Sequence, residues 1–396
     1  MSSVKLERAG EQIRVLCLFG TRPEAIKMAP LIAMLKGRPE FHTVVCVTAQ
    51  HRELLDMVNA SFGIEPDFDL DAMRVRQPLT ALAARIMRDV WPVFIEATPD
   101  IVLVHGDTAT TAVCALAAYY SEIAVGHVEA GLRTYNRRAP YPEEGNRLVV
   151  SHLADLHFAP TKSNAEALAR ESITDGVFIT GNTVIDALAY TVRSRYEFRY
   201  EALNFFLRAR PRVVVVTAHR RENLGRPLAN ICYALLALVK QYPDVGFVYP
   251  VHPNPAVRET VDEVLADCPR NLLLTPPLDT DDMHNLLARC DFVLTDSGGL
   301  QEEAPALGKP VLVLRSETER PEAIAAGTAK LVGVHERGIY DEAVRLLEDA
   351  QAYDRMAKAV NPYGDGRASE RIADALAYTF GLRKVPPEQF DGGVGR

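Results

Sequence analysis

Short apolar runs rich in Val, Ile and Leu recur along this chain, and each is followed by a segment with the apolar spacing of a helix. From these runs we predict twelve β-strands, at 13–19, 43–48, 101–105, 123–128, 156–159, 177–180, 212–217, 245–251, 271–274, 291–295, 310–314 and 329–332. Strands that are hydrophobic on both sides and alternate with helices favour parallel sheets covered on both faces. The pattern predicts an α/β protein.

The strands form two sets, separated by the segment 185–211, which is helical in pattern and ends at a proline. A length of 396 residues is enough for two or three domains, at about 150 residues each. Both sets begin alike, because 15–24 and 213–222 each run from a buried strand into Thr, Arg and Glu. Ligands of open α/β sheets bind at such strand ends, so we expect a ligand there in both domains.

Composition narrows the choice of ligand. The formal net charge is −8, so the field of the whole molecule repels nucleic acid and anionic membranes, and an anionic ligand needs local cations. No apolar stretch approaches the roughly 18 residues of a membrane span, and the first residues lack a signal-peptide core. We expect a soluble, cytoplasmic protein. The six scattered cysteines include no CxxC pair and predict neither a zinc site nor disulfides.

Two loops carry the features of an anion site. In 19–30, Gly20 allows a tight turn and Arg22 and Lys27 flank a helix start, although a solvated helix cap explains that string equally well on its own. In 294–315, a strand ends near Asp296 and a short helix is predicted from about Leu300. The turn between them consists of Ser297, Gly298 and Gly299.

Two glycines let a ligand approach the backbone of that second turn. Glu302 and Glu303 follow one helical turn later, and a carboxylate there suits the hydroxyls of a ribose better than a phosphate. Arg320 is the cation downstream. We therefore favour a phosphate that carries a sugar over a plain turn with a charged surface.

Acidic residues at strand ends of the first half are candidates for proton transfer. These are Asp107, Glu129, Glu143 and Glu144. Isolated carboxylates are usually solvated or paired, and four arginines are available as partners: Arg133, Arg137, Arg138 and Arg147. Carboxylates that converge at strand ends also form the acid and base of an enzyme. His219, after the first strand of the second half, is expected to face them across a cleft.

Several cofactor motifs are missing from the sequence. No GxGxxG follows a strand, and GxxxxGK[ST], HExxH and GxSxG do not occur. No Tyr has a Lys four positions later, the pair that short-chain nicotinamide epimerases use. A nicotinamide enzyme and a P-loop NTPase are disfavoured.

Nine strings in order resemble the non-hydrolysing bacterial UDP-N-acetylglucosamine 2-epimerases, over about 14–380. They are FGTRPEAIKMAP, TAQHRELLD, VHGDTATT, VEAGLRT, PEEGNR, TGNTVIDAL, HRREN, DSGGLQEEAP and TERPEA. The resemblance implies two Rossmann-like domains with parallel sheets, a glycosyltransferase-B-type fold, and an active site in the interdomain cleft. It implies an N-terminal domain of 1–186, a UDP-binding domain of 187–366, and a helix at about 367–384 that packs back on the first domain.

The resemblance also implies the reaction, a reversible inversion at C2 between UDP-GlcNAc and UDP-ManNAc without nicotinamide or metal. Anti elimination of UDP gives 2-acetamidoglucal, and UDP then adds back. The acid/base set implied for this chemistry is Asp107, Glu129, Glu143 and His219. The substrate-binding set is Arg22, Lys27, Ser297, Gly298, Gly299, Glu303, Arg320 and, in the uracil pocket at 278–283, Met283, where many relatives carry an aromatic residue.

Members of this family are often homodimers and are often activated by a second UDP-GlcNAc. The matching activator positions are Gln50, Glu53, Arg76, Glu143, Arg220 and His252. Other readings stay open: a family member acting on UDP-2,3-diacetamido-glucuronate, a hydrolysing epimerase, a nucleotide-sugar glycosyltransferase, or a non-catalytic nucleotide-sugar sensor. A glycosyltransferase is disfavoured because three acidic groups and His219 exceed its needs.

Overall fold

The computed structural model describes residues 4–48, 55, 58–60, 62–74, 77–138 and 140–392. The chain forms two compact units, and one of them is discontinuous in sequence. Unit 1 comprises Met1–Tyr190 and Tyr363–Arg396, whereas unit 2 comprises Thr191–Pro362. Within the described residues, no helix has the length and apolar character needed to cross a membrane.

Unit 1 is built on a seven-stranded parallel sheet with the order β3-β2-β1-β4-β5-β6-β7. Its strands are β1 (Ile13–Phe19), β2 (Phe41–Val47), β3 (Phe68–Asp69), β4 (Ile101–His105), β5 (Ala124–Val128), β6 (Leu156–Ala159) and β7 (Val177–Ile179). β1 and β4 are buried almost throughout, as expected for strands covered on both faces.

Helices cover both faces of the first sheet. They are α1 (Arg22–Lys36), α2 (Leu79–Ala97), α3 (Ala109–Tyr120), α4 (Glu143–Leu153), α5 (Lys162–Arg170), α6 (Thr183–Thr191) and α15 (Ala368–Thr379). α15 packs against α1, and Ile372 and Leu376 share a core cluster with Met28 and Leu35. α2 and α3 pack together and bury a second cluster on the other face.

Unit 2 has a six-stranded parallel sheet with the order β10-β9-β8-β11-β12-β13. Its strands are β8 (Arg212–Thr217), β9 (Val245–Pro250), β10 (Leu272–Thr275), β11 (Phe292–Thr295), β12 (Val311–Val313) and β13 (Ala329–Leu331). Its helices are α7 (Glu201–Arg208), α8 (Arg226–Gln241), α9 (Pro255–Leu265), α10 (Thr280–Arg289), α11 (Leu300–Ala306), α12 (Pro321–Ala326), α13 (Glu336–Glu348) and α14 (Ala350–Ala357).

Both sheets reverse their strand order at the first strand, between β1 and β4 in unit 1 and between β8 and β11 in unit 2. In open α/β sheets this reversal leaves a crevice at the carboxyl ends of the strands. The loops that follow β1, β4, β8 and β11 therefore occupy the favoured ligand positions of their units.

The α/β class and all twelve predicted strands are confirmed, within a few residues at their ends. The two-residue strand β3 was not predicted. The continuous helical reading of 185–211 is wrong, because α6 and α7 are separated by an irregular stretch. In that stretch Arg193 N donates to Asn285 Oδ1 at 2.9 Å and Arg199 N to Asp282 Oδ1 at 3.0 Å, so side chains of α10 replace helical bonds.

The helix predicted at about 367–384 is shorter than expected. It spans Ala368–Thr379, and Gly381 follows with a φ of +75°. Glycine adopts this left-handed conformation readily, and it is a common way for a helix to end.

Candidate active site

Glu129 directly follows β5 and is held by two side chains from distant parts of unit 1. Lys27 of α1 donates from Nζ to its carboxylate, and Asn182 Nδ2 donates to Oε2 at 2.8 Å. The backbone of Glu129 has a φ of +64°, in the left-handed region that few residues with a side chain adopt. Such strained residues concentrate at functional sites, where the surrounding contacts hold them in place.

A buried histidine lies beside this carboxylate. His105 Nε2, at the end of β4, is 3.9 Å from Glu129 Oε2, and the side chain is only 3 % exposed. Burial lowers the pKa of His105 to about 4, although the negative charge of Glu129 opposes this shift. The ring is therefore neutral near pH 7 and adds no positive charge beside Glu129.

Asp107 lies on the loop after β4 and is tied to α4. Arg147 Nη2 is 2.6 Å from Asp107 Oδ2, and Asn146 Nδ2 donates to the Asp107 carbonyl at 2.8 Å. Arg147 also contacts Glu144, whose buried carboxylate accepts two backbone N–H groups. Glu143 begins α4, and its Oε2 is buried without a hydrogen-bond partner in the described structure. Unit 1 thus brings three predicted carboxylates to the carboxyl edge of its sheet.

The predicted cations of unit 1 share one helix. Arg22 is the first residue of α1, and Lys27 lies further along the same helix in its pairing with Glu129. Both are partly buried. Their positions follow from the tight turn after β1: a Cβ added at Gly20 would lie 2.0 Å from Thr48 Oγ, so only glycine fits.

In unit 2, one buried carboxylate organises the loop after β8. Asp296 is fully buried, and its Oδ2 accepts from His219 N and Arg220 N at 2.8 Å each and from Asn223 Nδ2 at 2.9 Å. Its Oδ1 lies 3.5 Å from His219 Nδ1. The loop that carries His219 and Arg220 is therefore fixed from the end of β11.

The imidazole of His219 stacks on the ring of His252, with centroids 5.2 Å apart and ring planes 6° apart. Burial lowers the pKa of His219, and Asp296 opposes that shift, whereas His252 and Arg220 add to it. The ring remains about one-third exposed. His219 is therefore a predominantly neutral group near pH 7 that an incoming anion would help to protonate.

Two guanidinium groups approach the Ser297-Gly298-Gly299 turn. A Cβ added at Gly298 would lie 3.5 Å from Arg220 Nη2 and 3.8 Å from Arg320 Nη2. α11 begins at Leu300 as predicted and is seven residues long. The bare glycine backbone and two cations form the environment expected for a phosphate.

The adjacent glutamates of α11 differ in their surroundings. Glu302 is nearly fully buried and accepts a hydrogen bond from Arg320 Nε. Glu303 Oε2 instead lies 3.5 Å from His284 Nε2, and its side chain is 14 % exposed. Since Glu302 is engaged by Arg320, Glu303 is the carboxylate available to a ligand.

The remaining predicted positions are less informative. Met283 is partly buried on α10, and His252 is exposed apart from its stacking on His219. The activator candidates Gln50, Glu53 and Arg76 lie outside the described residues. Over the ranges that are described, no group of three or more His, Cys, Asp or Glu side chains is arranged to hold a metal ion.

Sequence reasoning assigned no role to Asn182 or Asp296, and it offered Arg147 only as one of four arginines that could pair with the carboxylates. Asn182 stands in the TGNTVIDAL string and Asp296 precedes the glycine turn, so both residues belong to recognised motifs, but the sequence does not indicate which residues they contact. Asn182 contacts Glu129, which is 53 residues away in sequence, and Asp296 contacts His219, which is 77 residues away. Only the folded topology brings these pairs together.

Comparisons with known proteins agree on one family. A family model described as UDP-N-acetylglucosamine 2-epimerase matches residues 33–377. The UDP-N-acetylglucosamine 2-epimerase of Bacillus subtilis (strain 168) is 50 % identical over 383 residues, covering 96 % of this chain and 100 % of that protein.

Solved structures give the same result. The S. aureus MnaA structure with UDP is 44 % identical, with a TM-score of 0.86 over 96 % of this chain and 100 % of that chain. The UDP-GlcNAc 2-epimerase of Neisseria meningitidis, bound to UDP-GlcNAc, is 46 % identical, with a TM-score of 0.82 over 91 % of this chain and 99 % of that chain. The chain therefore belongs to the UDP-N-acetylglucosamine 2-epimerase family.

Proposed function

We propose that this enzyme interconverts UDP-GlcNAc and UDP-ManNAc by elimination of UDP and its re-addition. The observation that carries the proposal is the pair of separately fixed carboxylates in unit 1. Glu129 is held by Lys27 and Asn182, and Asp107 is held by Arg147. Inversion at one carbon requires proton transfer on both faces of the sugar, which two independent carboxylates can supply.

The chemistry explains why a phosphate site accompanies these carboxylates. The C2–H of an N-acetylhexosamine has no neighbouring carbonyl, so a base alone cannot remove its proton. Breakage of the C1–O bond to UDP leaves an oxocarbenium-like centre that makes this proton acidic. Loss of the proton then gives 2-acetamidoglucal and UDP. Return of a proton to the other face of C2 and of UDP to C1 completes the inversion.

In this proposal Asp107, Glu129 and Glu143 form the acid/base set. Among the described residues Glu143 Oε2 has no hydrogen-bond partner, which leaves this oxygen to a substrate hydroxyl or to a proton in transit. Arg22 and Lys27 neutralise charge that develops on the diphosphate, which lowers the barrier to C1–O cleavage. The Lys27–Glu129 contact also fixes the carboxylate before substrate arrives.

The residues of unit 2 bind the nucleotide. Ser297, Gly298 and Gly299 receive phosphate together with Arg320, and Glu303 accepts from the ribose hydroxyls. His219 stabilises or protonates the leaving diphosphate, and Met283 lies in the uracil pocket. The approach of Arg220 and Arg320 to the Gly298 turn supports this assignment.

Proton NMR of the protein with UDP-GlcNAc in D₂O, without added nicotinamide or metal, tests the proposal. UDP-ManNAc with deuterium at C2 is the expected product. Free ManNAc and UDP would instead indicate a hydrolysing epimerase. An unchanged spectrum would contradict the proposal and direct attention to UDP-2,3-diacetamido-glucuronate, and then to a nucleotide-sugar sensor.

We further propose that a second UDP-GlcNAc activates the enzyme at a site that includes Arg220 and His252. The stacking of His252 on His219 offers a direct contact between such a site and a catalytic candidate. The saturation curve for UDP-GlcNAc should be sigmoidal, and His252→Ala should make it hyperbolic. A hyperbolic curve for the unmodified enzyme, with no stimulation of the reverse reaction by UDP-GlcNAc, would contradict this proposal.

A homodimer is the assembly we propose. Trp91 and Ile95 are 54 % and 58 % exposed on α2, and Tyr119 and Tyr120 are 56 % and 71 % exposed at the end of the adjacent α3. Exposed apolar patches of this kind mark protein contacts. Sedimentation should show a dimer that the double change Trp91→Glu, Ile95→Glu dissociates. Phe205→Glu, at an exposed position of unit 2, is the control, and a monomeric unmodified protein would contradict the proposal.

A further inference from the structure

Glu24 is a buried carboxylate for which the proposed mechanism has no role. It occupies the third position of α1 and is 2 % exposed. Burial raises the pKa of Glu24, and hydrogen bonds from Thr108, Thr21 and Gly20 oppose that shift. A buried carboxylate is stable only when hydrogen bonds replace its lost hydration. The hydrogen-bond partners of Glu24 therefore show which parts of the chain it connects.

The two oxygens of Glu24 bind different loops. Oε2 accepts from Gly20 N at 3.1 Å and from Thr21 N at 2.7 Å, in the loop between β1 and α1. Oε1 accepts from Thr108 Oγ at 2.8 Å, in the loop between β4 and α3, and Thr111 Oγ lies 3.2 Å away. One side chain therefore bridges the loops on both sides of the strand-order reversal.

Each bridged loop carries groups of the proposed mechanism. Arg22 directly follows the first loop, and Lys27 lies one to two helical turns into α1. Asp107 is the residue immediately before Thr108, which in turn caps α3 by accepting from Thr111 N at 3.2 Å. A change in the spacing of the two loops would move the cations and the acid/base carboxylate relative to each other.

We propose that Glu24 is a positioning residue, which sets the spacing between the Arg22/Lys27 end of α1 and Asp107. This inference rests on the proposed function, because it assumes that both groups act on one substrate. Glu24 acts through hydrogen bonds rather than through its charge. Its partners are backbone N–H groups and hydroxyls, and a hydroxyl can rotate to accept from an amide as well as donate to a carboxylate.

This distinction makes Glu24→Gln a rescue variant. The Gln oxygen can accept from Gly20 N and Thr21 N, while its NH₂ group donates to Thr108 Oγ. Glu24→Ala removes the bridge altogether. A misplacement of about 1 Å can reduce turnover about 100-fold, so kcat of Glu24→Ala should fall by about that factor, with a smaller change in KM. Glu24→Gln should keep at least about a tenth of the unmodified kcat.

Asp100 provides a matched control at the opposite edge of the same strands. It precedes β4, its side chain is 5 % exposed, and it accepts from Arg14 N of β1 at 2.8 Å and from Ala9 N at 3.0 Å. Asp100→Ala should lower the melting temperature as Glu24→Ala does, yet leave kcat within about threefold. Equal losses of kcat in both Ala variants, or a folded Glu24→Ala with unmodified kcat, would overturn the inference.

Hydrogen exchange separates failure of this inference from failure of the proposed function. In Glu24→Ala, exchange should accelerate in peptides covering both 19–24 and 106–111, whatever reaction the enzyme catalyses. Acceleration confined to 19–24 would make Glu24 a simple helix cap and overturn the bridge. If Glu24→Ala does not fold, Thr108→Val removes one of the bonds to Oε1, and it should accelerate exchange in the same two peptides. An unmodified protein without epimerase activity would refute the proposed function instead.

Discussion

In both sheets a buried carboxylate holds the loop that follows the first strand. In unit 1 this carboxylate comes from the helix after that loop, whereas in unit 2 it comes from the end of the neighbouring strand. In unit 1, Glu24 lies on the helix after β1 and reaches across to Thr108, after β4. In unit 2, Asp296 lies at the end of β11 and reaches back to His219 and Arg220, after β8. β4 and β11 hold the same place in their sheets, next to the first strand.

This difference separates the chemistry of the two units. The helix of unit 1 supplies the anchoring carboxylate, so the acid after β4, Asp107, is left at the sheet edge in contact with Arg147. In unit 2 the acid after β11 is itself the anchor and is fully buried. What unit 2 presents at its edge is glycine backbone, arginine and histidine. In the proposed mechanism, unit 1 therefore supplies the acid/base carboxylates and unit 2 supplies the turn that receives the phosphate.

The largest expected effect comes from Asp107→Asn. If unit 1 carries the proton transfer, kcat should fall about 10³-fold, because an amide cannot exchange a proton as the carboxylate does. UDP affinity, measured by calorimetry, should change less than about threefold, since Asp107 is not among the proposed nucleotide contacts. Asp155→Asn, an acid of unit 1 bonded to Val125 N, is the control. If Asp107→Asn retained more than a tenth of the unmodified kcat, the assignment of proton transfer to Asp107 would be contradicted.

Asp296→Ala should give the complementary result in unit 2. Loss of three hydrogen bonds to one buried carboxylate should lower the free energy of unfolding by about 3 kcal/mol. UDP binding should weaken about tenfold, because Arg220 is no longer held near the glycine turn. Calorimetry and denaturant titration measure the two effects.

Asp291→Ala is the matched control for that change. Asp291 precedes β11 and accepts from Val213 N at 2.7 Å, at the other edge of the same strands. It should lower stability without weakening UDP binding. Asp296→Asn should retain most of the stability, because its oxygen can still accept all three bonds. Equal loss of UDP affinity in Asp291→Ala and Asp296→Ala would show that Asp296 contributes to stability but has no specific role in UDP binding.

The smallest effect concerns acid stability, which should also differ between the units. His105, His127 and His157 are buried on neighbouring strands of unit 1, and burial lowers their pKa values to about 4, about 4 and about 3. In unit 2 burial also lowers the pKa of His219, but this loop residue is about one-third exposed, and none of the described strands of unit 2 carries a histidine. Unit 1 should therefore lose stability first on acidification.

The sign follows from proton binding. The ordinary pKa of histidine is 6.5, so between pH 6.5 and about 4 these side chains bind protons in the unfolded chain but stay neutral in the folded protein. The free energy of unfolding then falls as the pH falls, by about 1.4 kcal/mol per pH unit for each histidine. In denaturant titrations from pH 6 to 4.5, His157→Gln should reduce this slope by about one proton. An unchanged slope in His157→Gln would contradict the assignment.

The parts of the molecule that sequence patterns specify locally were predictable. The strands follow from continuous apolar runs, and the start of α11 at Leu300 follows from the preceding glycines. β3 was missed because a pair of residues shows no periodicity. The break between α6 and α7 was missed because side chains of α10, about 90 residues away, supply the hydrogen bonds that disrupt the helix.

The candidate site divides in the same way. Asp107, Glu129 and His219 could be selected because polar residues after buried strands are conspicuous in the sequence. Asn182 and Asp296 could not be assigned as the residues that hold them, because only the order of strands in each sheet brings these side chains into contact. Arg147 was one of four arginines available to the carboxylates, and the sequence did not indicate that it pairs with Asp107. Glu24 looks in sequence like an ordinary helix-start residue, and its bridge to Thr108 spans 84 positions.

The discontinuity of unit 1 has a consequence for how the protein is made. Residues 191–362 emerge from the ribosome before α15, whose Ile372 and Leu376 complete the core around α1. Domains fold largely as units during synthesis, so unit 2 can fold while the core of unit 1 still lacks one of its helices. Throughout that interval the apolar face of α1 that α15 covers is exposed, and it is the surface on which chaperones and proteases would act.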